Sequence, residues 1–255
     1  MLQRLLIYVF LTLLIFLFGC HNTVDNNLIF KEDFEKGILD SSRWKITTDG
    51  DFADYTVDVC DVDISEKNDF RLRLQANTLE TSDPLKYLGV RSKEVLDLNT
   101  DLEISFDVDW NDQANGCYLT ASLYLCPTIS ENPKNENDWL KFEYTGVPPG
   151  RNVRINIWEK INGAVIPHYT DWGPRDEKDK PVGKYLEPGK HTIKLVISGS
   201  TLKIFEDDNE IYYLREYKLS FTTAYIYLQM SSGTNYPART VYFDNISVKD
   251  INIQD

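Results

Sequence analysis

Tyr118-Leu119-Thr120-Ala121-Ser122-Leu123-Tyr124-Leu125-Cys126 is the stretch whose reading decides the fold. Leu119, Ala121, Leu123 and Leu125 fall on one parity, and Tyr118, Thr120, Ser122 and Tyr124 on the other. A strict period of two marks a strand with one face against a core. The same alternation runs outward in both directions. Upstream it predicts strands over Leu28–Phe34, Arg43–Thr47, Phe70–Gln75, Tyr87–Lys93 and Leu102–Trp110. Downstream it predicts Trp139–Tyr144, Val153–Trp158, Thr192–Ser198, Thr201–Glu206, Glu210–Leu214, Ala224–Met230 and Thr240–Lys249. Turn signals separate them at Asn115-Gly116, Pro148-Pro149-Gly150, Pro188-Gly189, Ser198-Gly199 and Asp207-Asp208-Asn209. No segment keeps a helical period beyond two turns, and 15 Tyr and 12 Phe against 2 Met lean the same way. About thirteen strands without crossover helices imply an all-β, antiparallel two-sheet sandwich of jelly-roll type.

The two faces of these strands differ in kind. Ile104, Phe106, Val108 and Trp110, Leu140 and Phe142, Val153, Ile155 and Ile157, and Ala224, Ile226, Leu228 and Met230 continue the aliphatic side. They pack between the sheets. The opposite side holds Tyr118, Tyr124, Trp139, Lys141, Asn152, Arg154, Asn156, Trp158, Tyr225, Tyr227 and Gln229. Flat rings and planar polar groups are what a sugar-binding groove needs, for stacking and for bonding hydroxyls. A plain solvated sheet face also alternates, but it leans towards Thr, Lys and Glu.

Arg4, the apolar run Leu5–Phe18 and the closing Leu17-Phe18-Gly19-Cys20 form a leader. The run is shorter than the roughly 20 apolar residues that a span needs. It resembles the lipobox of bacterial lipoproteins, which implies lipidation of Cys20 and an extracytoplasmic, lipid-anchored domain in the cell envelope. Residues 1–19 are then signal peptide, 20–27 a tether and 28–250 one domain, among about 235 residues in all. A net charge of −13 argues against nucleic acid and anionic membrane surfaces as partners, and mildly against polyanionic glycans. Besides Cys20 there are Cys60, Cys117 and Cys126, an odd number. Cys117 and Cys126 share a strand and cannot bridge each other; either could pair with Cys60, or all could stay thiols. No spacing suits zinc.

Three segments, taken together, resemble the concanavalin A-like lectin/glucanase superfamily, and within it the laminarinases and lichenases of glycoside hydrolase family sixteen. They are Glu32-Asp33-Phe34-Glu35-Lys36-Gly37-Ile38-Leu39-Asp40 with Arg43-Trp44, Gly189–Val196 with Leu202–Asp208, and Val241–Val248. Gly89-Val90-Arg91-Ser92-Lys93 adds a fourth. The resemblance implies a concanavalin A-like jelly roll with Trp44 in its core. It speaks less to activity. The family's E-x-D-x-x-E motif would fall on Asp138-Trp139-Leu140-Lys141-Phe142-Glu143. Glu143 takes the acid/base position and Asp138 the nucleophile's, one methylene short; Leu140 replaces the central Asp. Retaining chemistry needs two carboxylates about 5–5.5 Å apart. Lys141, on the face of Glu143, lowers a carboxyl's pKa, the wrong direction for a general acid. The resemblance also implies a structural calcium ion between the first and last strands, with Asp33 and Asp244 as its carboxylates; the alternative is that the two cap turns or accept backbone N–H bonds.

Other chemistries are fainter. Asp107 and Asp109 share a face. His168 or a groove tyrosine could serve a polysaccharide lyase, with Arg154 and Lys141 near a uronate. His191 lies on the aliphatic parity and reads as structural. Trp172 sits in a long polar stretch, Ile166 to Gly183, either as groove rim or as loop anchor. The function expected is a surface lipoprotein that binds a poly- or oligosaccharide without cleaving it. The alternatives are a glycoside hydrolase or polysaccharide lyase of the same fold, and an envelope protein whose groove holds a protein partner.

Overall fold

The structure, a computed structural model, describes residues 27–62, 69–109, 119–146, 155–171 and 190–252. The strands in chain order are β1 Leu28–Glu32, β2 Trp44–Asp49, β3 Asp54–Asp61, β4 Phe70–Asn77, β5 Lys86–Ser92, β6 Leu96–Asp97, β7 Leu102–Asp109 and β8 Leu119–Cys126. They continue with β9 Trp139–Gly146, β10 Ile155–Ile161, β11 Ala164–Asp171, β12 Lys190–Ser198, β13 Thr201–Glu206, β14 Asn209–Arg215, β15 Thr223–Ser232 and β16 Arg239–Asp250. The first sheet runs β14-β13-β12-β7-β16-β4-β3, with β1 on β16. The second runs β11-β10-β9-β8-β15-β5-β2, with β6 on β15. The pairings are antiparallel, so the molecule is the jelly-roll-like sandwich that the alternation implied.

One hydrophobic cluster joins the sheets, from Phe30 near one end of the chain to Val248 near the other. Its members are the aliphatic parities: Leu119, Ala121, Leu123 and Leu125 on β8, Leu140 and Phe142 on β9, Ile155 and Ile157 on β10 are all at most 1 % exposed. Trp44 is buried as expected, between Phe30 (centroids 5.8 Å apart) and Phe34 (6.1 Å), with its Nε1 donating to Glu32 Oε2 at 3.1 Å. Trp110 lies outside the described residues.

Four strands depart from the sequence reading. β3 and the two-residue β6 fall where no strand was expected. β11 occupies the first part of the stretch read as loop from Ile166. Asn162 and Gly163, both at positive φ (50° and 84°), turn the chain from β10 into β11. That is the handed turn which matches strand twist in a two-residue hairpin. β1 ends two residues early, because Phe34 (φ 52°) starts a turn closed by Gly37 N donating to Phe34 O at 2.9 Å.

The outer face of the first sheet is a charged mesh. Arg71 pairs with Asp69 and, at 3.0 Å, with Asp109; Lys190 lies 2.8 Å from Asp107 and 3.6 Å from Asp244. Asp107 and Asp109 thus serve ion pairs on the sheet opposite the expected groove. Burial pushes the Asp244 carboxyl up to about 6, despite Asn245 N and Lys190. A carboxyl raised in the fold favours the native state below its ordinary pKa and loses that advantage as pH climbs to about 6. Asp244→Asn is therefore expected to be more stable than the parent at pH 7.5 and to flatten stability between about pH 4 and 6. Urea titrations across that window check it; an unchanged slope would count against the shift.

Among the described residues no group of three or more His, Cys, Asp or Glu is placed to hold a metal ion. Asp33 is 2.9 Å from Lys31 Nζ, a contact that holds its carboxyl below the usual range. Asp244 faces Lys190. An ammonium, of Lys31 or Lys190, thus stands beside each of the two carboxylates expected for calcium. Cys60 lies on β3 of the first sheet and Cys126 on β8 of the second, both as thiols, so they do not pair. Cys117 and Cys20 lie outside the described residues.

Candidate functional site

Strand register arranges the outer face of the second sheet in rows. One row reads Lys45, Arg91, Tyr227, Tyr124, Lys141, Trp158 and Pro167 from β2 to β11. The next reads Thr47, Gly89, Gln229, Ser122, Glu143, Asn156 and Thr170. The polar parity expected for a groove is therefore one continuous face, and it brings together Tyr124, Trp139, Lys141, Glu143, Asn156, Trp158, Tyr225, Tyr227 and Gln229. Tyr118, Asn152, Arg154 and Trp172 lie outside the described residues.

Glu143 is the chemical centre of this face. Lys141 Nζ and Ser122 Oγ donate to its Oε2 at 2.9 and 3.2 Å; Thr145 Oγ1 and Asn156 Nδ2 donate to Oε1, both at 3.2 Å. Burial alone would raise the carboxyl's pKa, but the Lys141 charge and these donors outweigh it and hold the carboxyl below its ordinary value. It is an anion with all its lone pairs engaged. Lys141 in turn sits against three rings, 4.7 Å from the centroid of Trp158, 5.8 Å from Tyr124 and 5.9 Å from Trp139. The aromatic box is filled by the protein's own cation.

Asp138 does not join Glu143, which corrects the expected catalytic pair. The two are five residues apart, and the β8–β9 ladder carries no bulge from Leu140 to Gly146. β9 begins at Trp139, so Asp138 lies beyond the start of the strand, and the rise from Trp139 to Glu143 alone is about 13 Å. Asp138 instead accepts the backbone N–H of Asn162 at 2.9 Å. The other carboxylates on this face's described strand positions are Asp49, four strand spacings away or about 19 Å, and Asp97, which pairs with Thr223, six residues or roughly 20 Å along β15 from the row of Glu143. These separations exceed the roughly 5–5.5 Å of retaining and 6.5–9.5 Å of inverting glycosidases.

Nor does His168 face this site. Its Nε2 lies 2.8 Å from Oε2 of Glu159, which has the core parity of β10 and is 1 % exposed. The ring packs edge-on against Tyr217, 5.6 Å away. Burial, and then Glu159, pushes the Tyr217 hydroxyl far up. His191 is structural as expected, on the core parity beside Tyr144 (5.8 Å) and with Nδ1 2.8 Å from Asp207.

Part of the face is covered by the chain itself. Tyr124, Trp139, Cys126 and Tyr227 form a second, smaller hydrophobic cluster, each at most 3 % exposed, with Trp158 and Tyr225 half-buried at its edge. The chain between β8 and β9, residues 127–138, lies over it as a strap. Tyr227 Oη accepts from Ser130 N at 2.8 Å and donates to Thr128 O at 2.9 Å. Asn132 accepts from Gln229 Nε2 at 3.4 Å and donates to Asp49 at 2.8 Å; Lys134 donates to the Tyr87 hydroxyl at 2.7 Å. Tyr227 and Gln229 thus hold the strap, and the sequence reading of them as freely presented groove residues is corrected. Tyr227→Phe leaves Ser130 N–H without its acceptor under the strap. It is expected to cost about 1–3 kcal/mol, read by chemical denaturation. A variant as stable as the parent would mean that the strap holds without this bond.

Some donors on the face have no acceptor. The indole Nε1 atoms of Trp139 and Trp158 are buried without a hydrogen-bond partner, and so is Arg91 Nε, whose guanidinium lies 5.1 Å over the Tyr225 ring. Sequence reasoning picked out both tryptophans but not Arg91, whose outward parity was legible in Gly89–Lys93.

No protein-family model matches the chain, and no curated protein does. Solved structures do. The catalytic domain of an endo-1,3-beta-glucanase (laminarinase) from Thermotoga petrophila RKU-1 is 15 % identical, with a TM-score of 0.60 over 88 % of this chain and 98 % of that one. A Bacteroides ovatus mixed-linkage glucan GH16 in complex with a G4G4G3G product is 13 % identical, with a TM-score of 0.59 over 87 % and 100 %. A protein of unknown function with galectin-like fold from Bacillus subtilis is 10 % identical, with a TM-score of 0.54 over 89 % and 97 %. The class that these likenesses define is one of fold: a concanavalin A-like sandwich built as in glycoside hydrolase family 16.

Proposed function

We propose that this chain is a lipid-anchored envelope protein that binds a glycan on the outer face of its second sheet and does not cleave it. The observation that carries the reading is the pair of buried indole N–H groups, Trp139 Nε1 and Trp158 Nε1, left without acceptors beside Lys141. A buried donor without a partner costs about 1–3 kcal/mol. Sugar hydroxyls supply acceptors, and their C–H faces suit the half-exposed ring of Trp158. The wide fold likeness to glucanases supports the ligand class by analogy only. Against cleavage stand the anionic, fully bonded Glu143 and the lack of a second carboxylate within reach on the described strands. The anchor rests on Cys20 and its leader.

Trp158→Phe tests the site, because it keeps an aromatic face beside Lys141 and deletes the N–H. On laminarin, mixed-linkage β-glucan and polygalacturonate, retention by the parent without new reducing ends or unsaturated products is the expected result. The variant should bind several-fold more weakly to the polymer that is retained, without a fall in melting temperature. Product formation would reinstate the enzyme reading. No retention on any of them would remove the glycan reading.

A further inference from the structure

The connection from Cys126 to Trp139 joins neighbouring strands, β8 and β9, which loops of about two to five residues ordinarily do. Here the chain instead runs out over strands it does not join. Tyr227 and Gln229 of β15, Tyr87 of β5 and Asp49 of β2 all bond strap residues, and Lys45 of β2 is paired with Glu131. On the β15–β5–β2 half Arg91 Nε and Thr47 Oγ1 have no partner of their own, but both are buried in the rows that the strap's bonds cross. Among the described residues, the strap leaves the strip from β8 to β11, three strand spacings or about 15 Å wide. The orphan indoles and the Glu143 cluster lie in that strip. A polysaccharide crossing the strands meets the strap at β15. One running along them meets it where Thr128, Glu136 and Asp138 close over Cys126. In either direction one exit is shut.

We propose that the site takes the terminus of a glycan chain and not an internal stretch, with residues 127–138 as the end wall. The inference rests on the glycan-binding reading above and narrows it from a polymer surface to a chain end.

The test is sugar-neutral. Sites per gram of laminarin, mixed-linkage β-glucan and polygalacturonate are measured by titration calorimetry before and after partial acid hydrolysis, with chain ends counted by a reducing-sugar assay. For the polymer that binds, sites per gram are expected to rise by the same factor as the ends. Sites per gram that stay constant while ends multiply would overturn the end wall and leave glycan binding standing. No binding before or after hydrolysis would overturn glycan binding itself, and the end wall with it.

Discussion

Lys141→Met is expected to lose about 3–5 kcal/mol of stability at pH 7, a drop in melting temperature of roughly 10 °C. The side chains of Lys141 and Glu143 are only 6 % and 10 % exposed, so the methionine leaves a carboxylate buried without its counter-charge. Its neutral donors, Ser122, Thr145 and Asn156, stay in place but do not replace a cation. The pH dependence has a definite sign. In the parent, Glu143 is held below its ordinary pKa, so its contribution is complete above about 4.3 and is lost as pH falls through the native value. In the variant the carboxyl rises and takes up a proton. The gap between the two proteins should therefore narrow in acid. Adding Glu143→Gln to Lys141→Met removes the stranded charge and should recover most of the loss. A gap equal at pH 4 and pH 7, or a double variant no better than the single one, would contradict the buried pair.

Gly89→Ala should be nearly as damaging, at about 3 kcal/mol or more, for a steric reason. β5 and β15 approach so closely at Gly89 that an added Cβ would lie against Leu228 O, 3.0 Å from Gln229 Cα and 3.2 Å from Leu228 C. All three are backbone atoms, so no side chain can swing away. The ladder Met230–Tyr227 against Leu88–Arg91 must part or shift, and with it the strand that carries the strap's anchors. Amide hydrogen exchange should show lost protection first along β5 and β15. Unchanged protection there would mean that the ladder accommodates the methyl group.

Most of the fold was legible because burial and strand period are coupled. Leu119 to Leu125, Leu140 and Phe142, and Ala224 to Met230 all face the core as their parity required. The failures have separate physical causes. β3 carries Asp54, Asp58 and Asp61, residues that strands disfavour, and Asp58 is held there by a pair with Arg73 that no local pattern reveals. β11 was hidden by Pro167, although Asn162-Gly163, a strong hairpin signal, stood just before it. Parity also placed the outward aromatics correctly without saying what lies over them. The bond from Tyr227 to Ser130 spans 97 residues of sequence, and only the folded chain brings the strap there. The catalytic alignment of Asp138 with Glu143 failed because β9 is regular from Leu140 to Gly146 and starts only at Trp139, which leaves Asp138 beyond its end, bonded to Asn162 N.

β1 pairs with β16, and Asp250 N donates to Asn27 O at 2.8 Å. The described chain is thus almost a closed ring, and its opening between residues 250 and 27 is one of several places where the ring could have been cut. The turn at Asn162-Gly163 is another, exposed and free of core contacts. A polypeptide begun at Gly163, joined across the old gap and ended at Asn162 would contain every ladder of both sheets. Chain order, in such a molecule, is a matter of where synthesis starts, while the sandwich itself has no beginning.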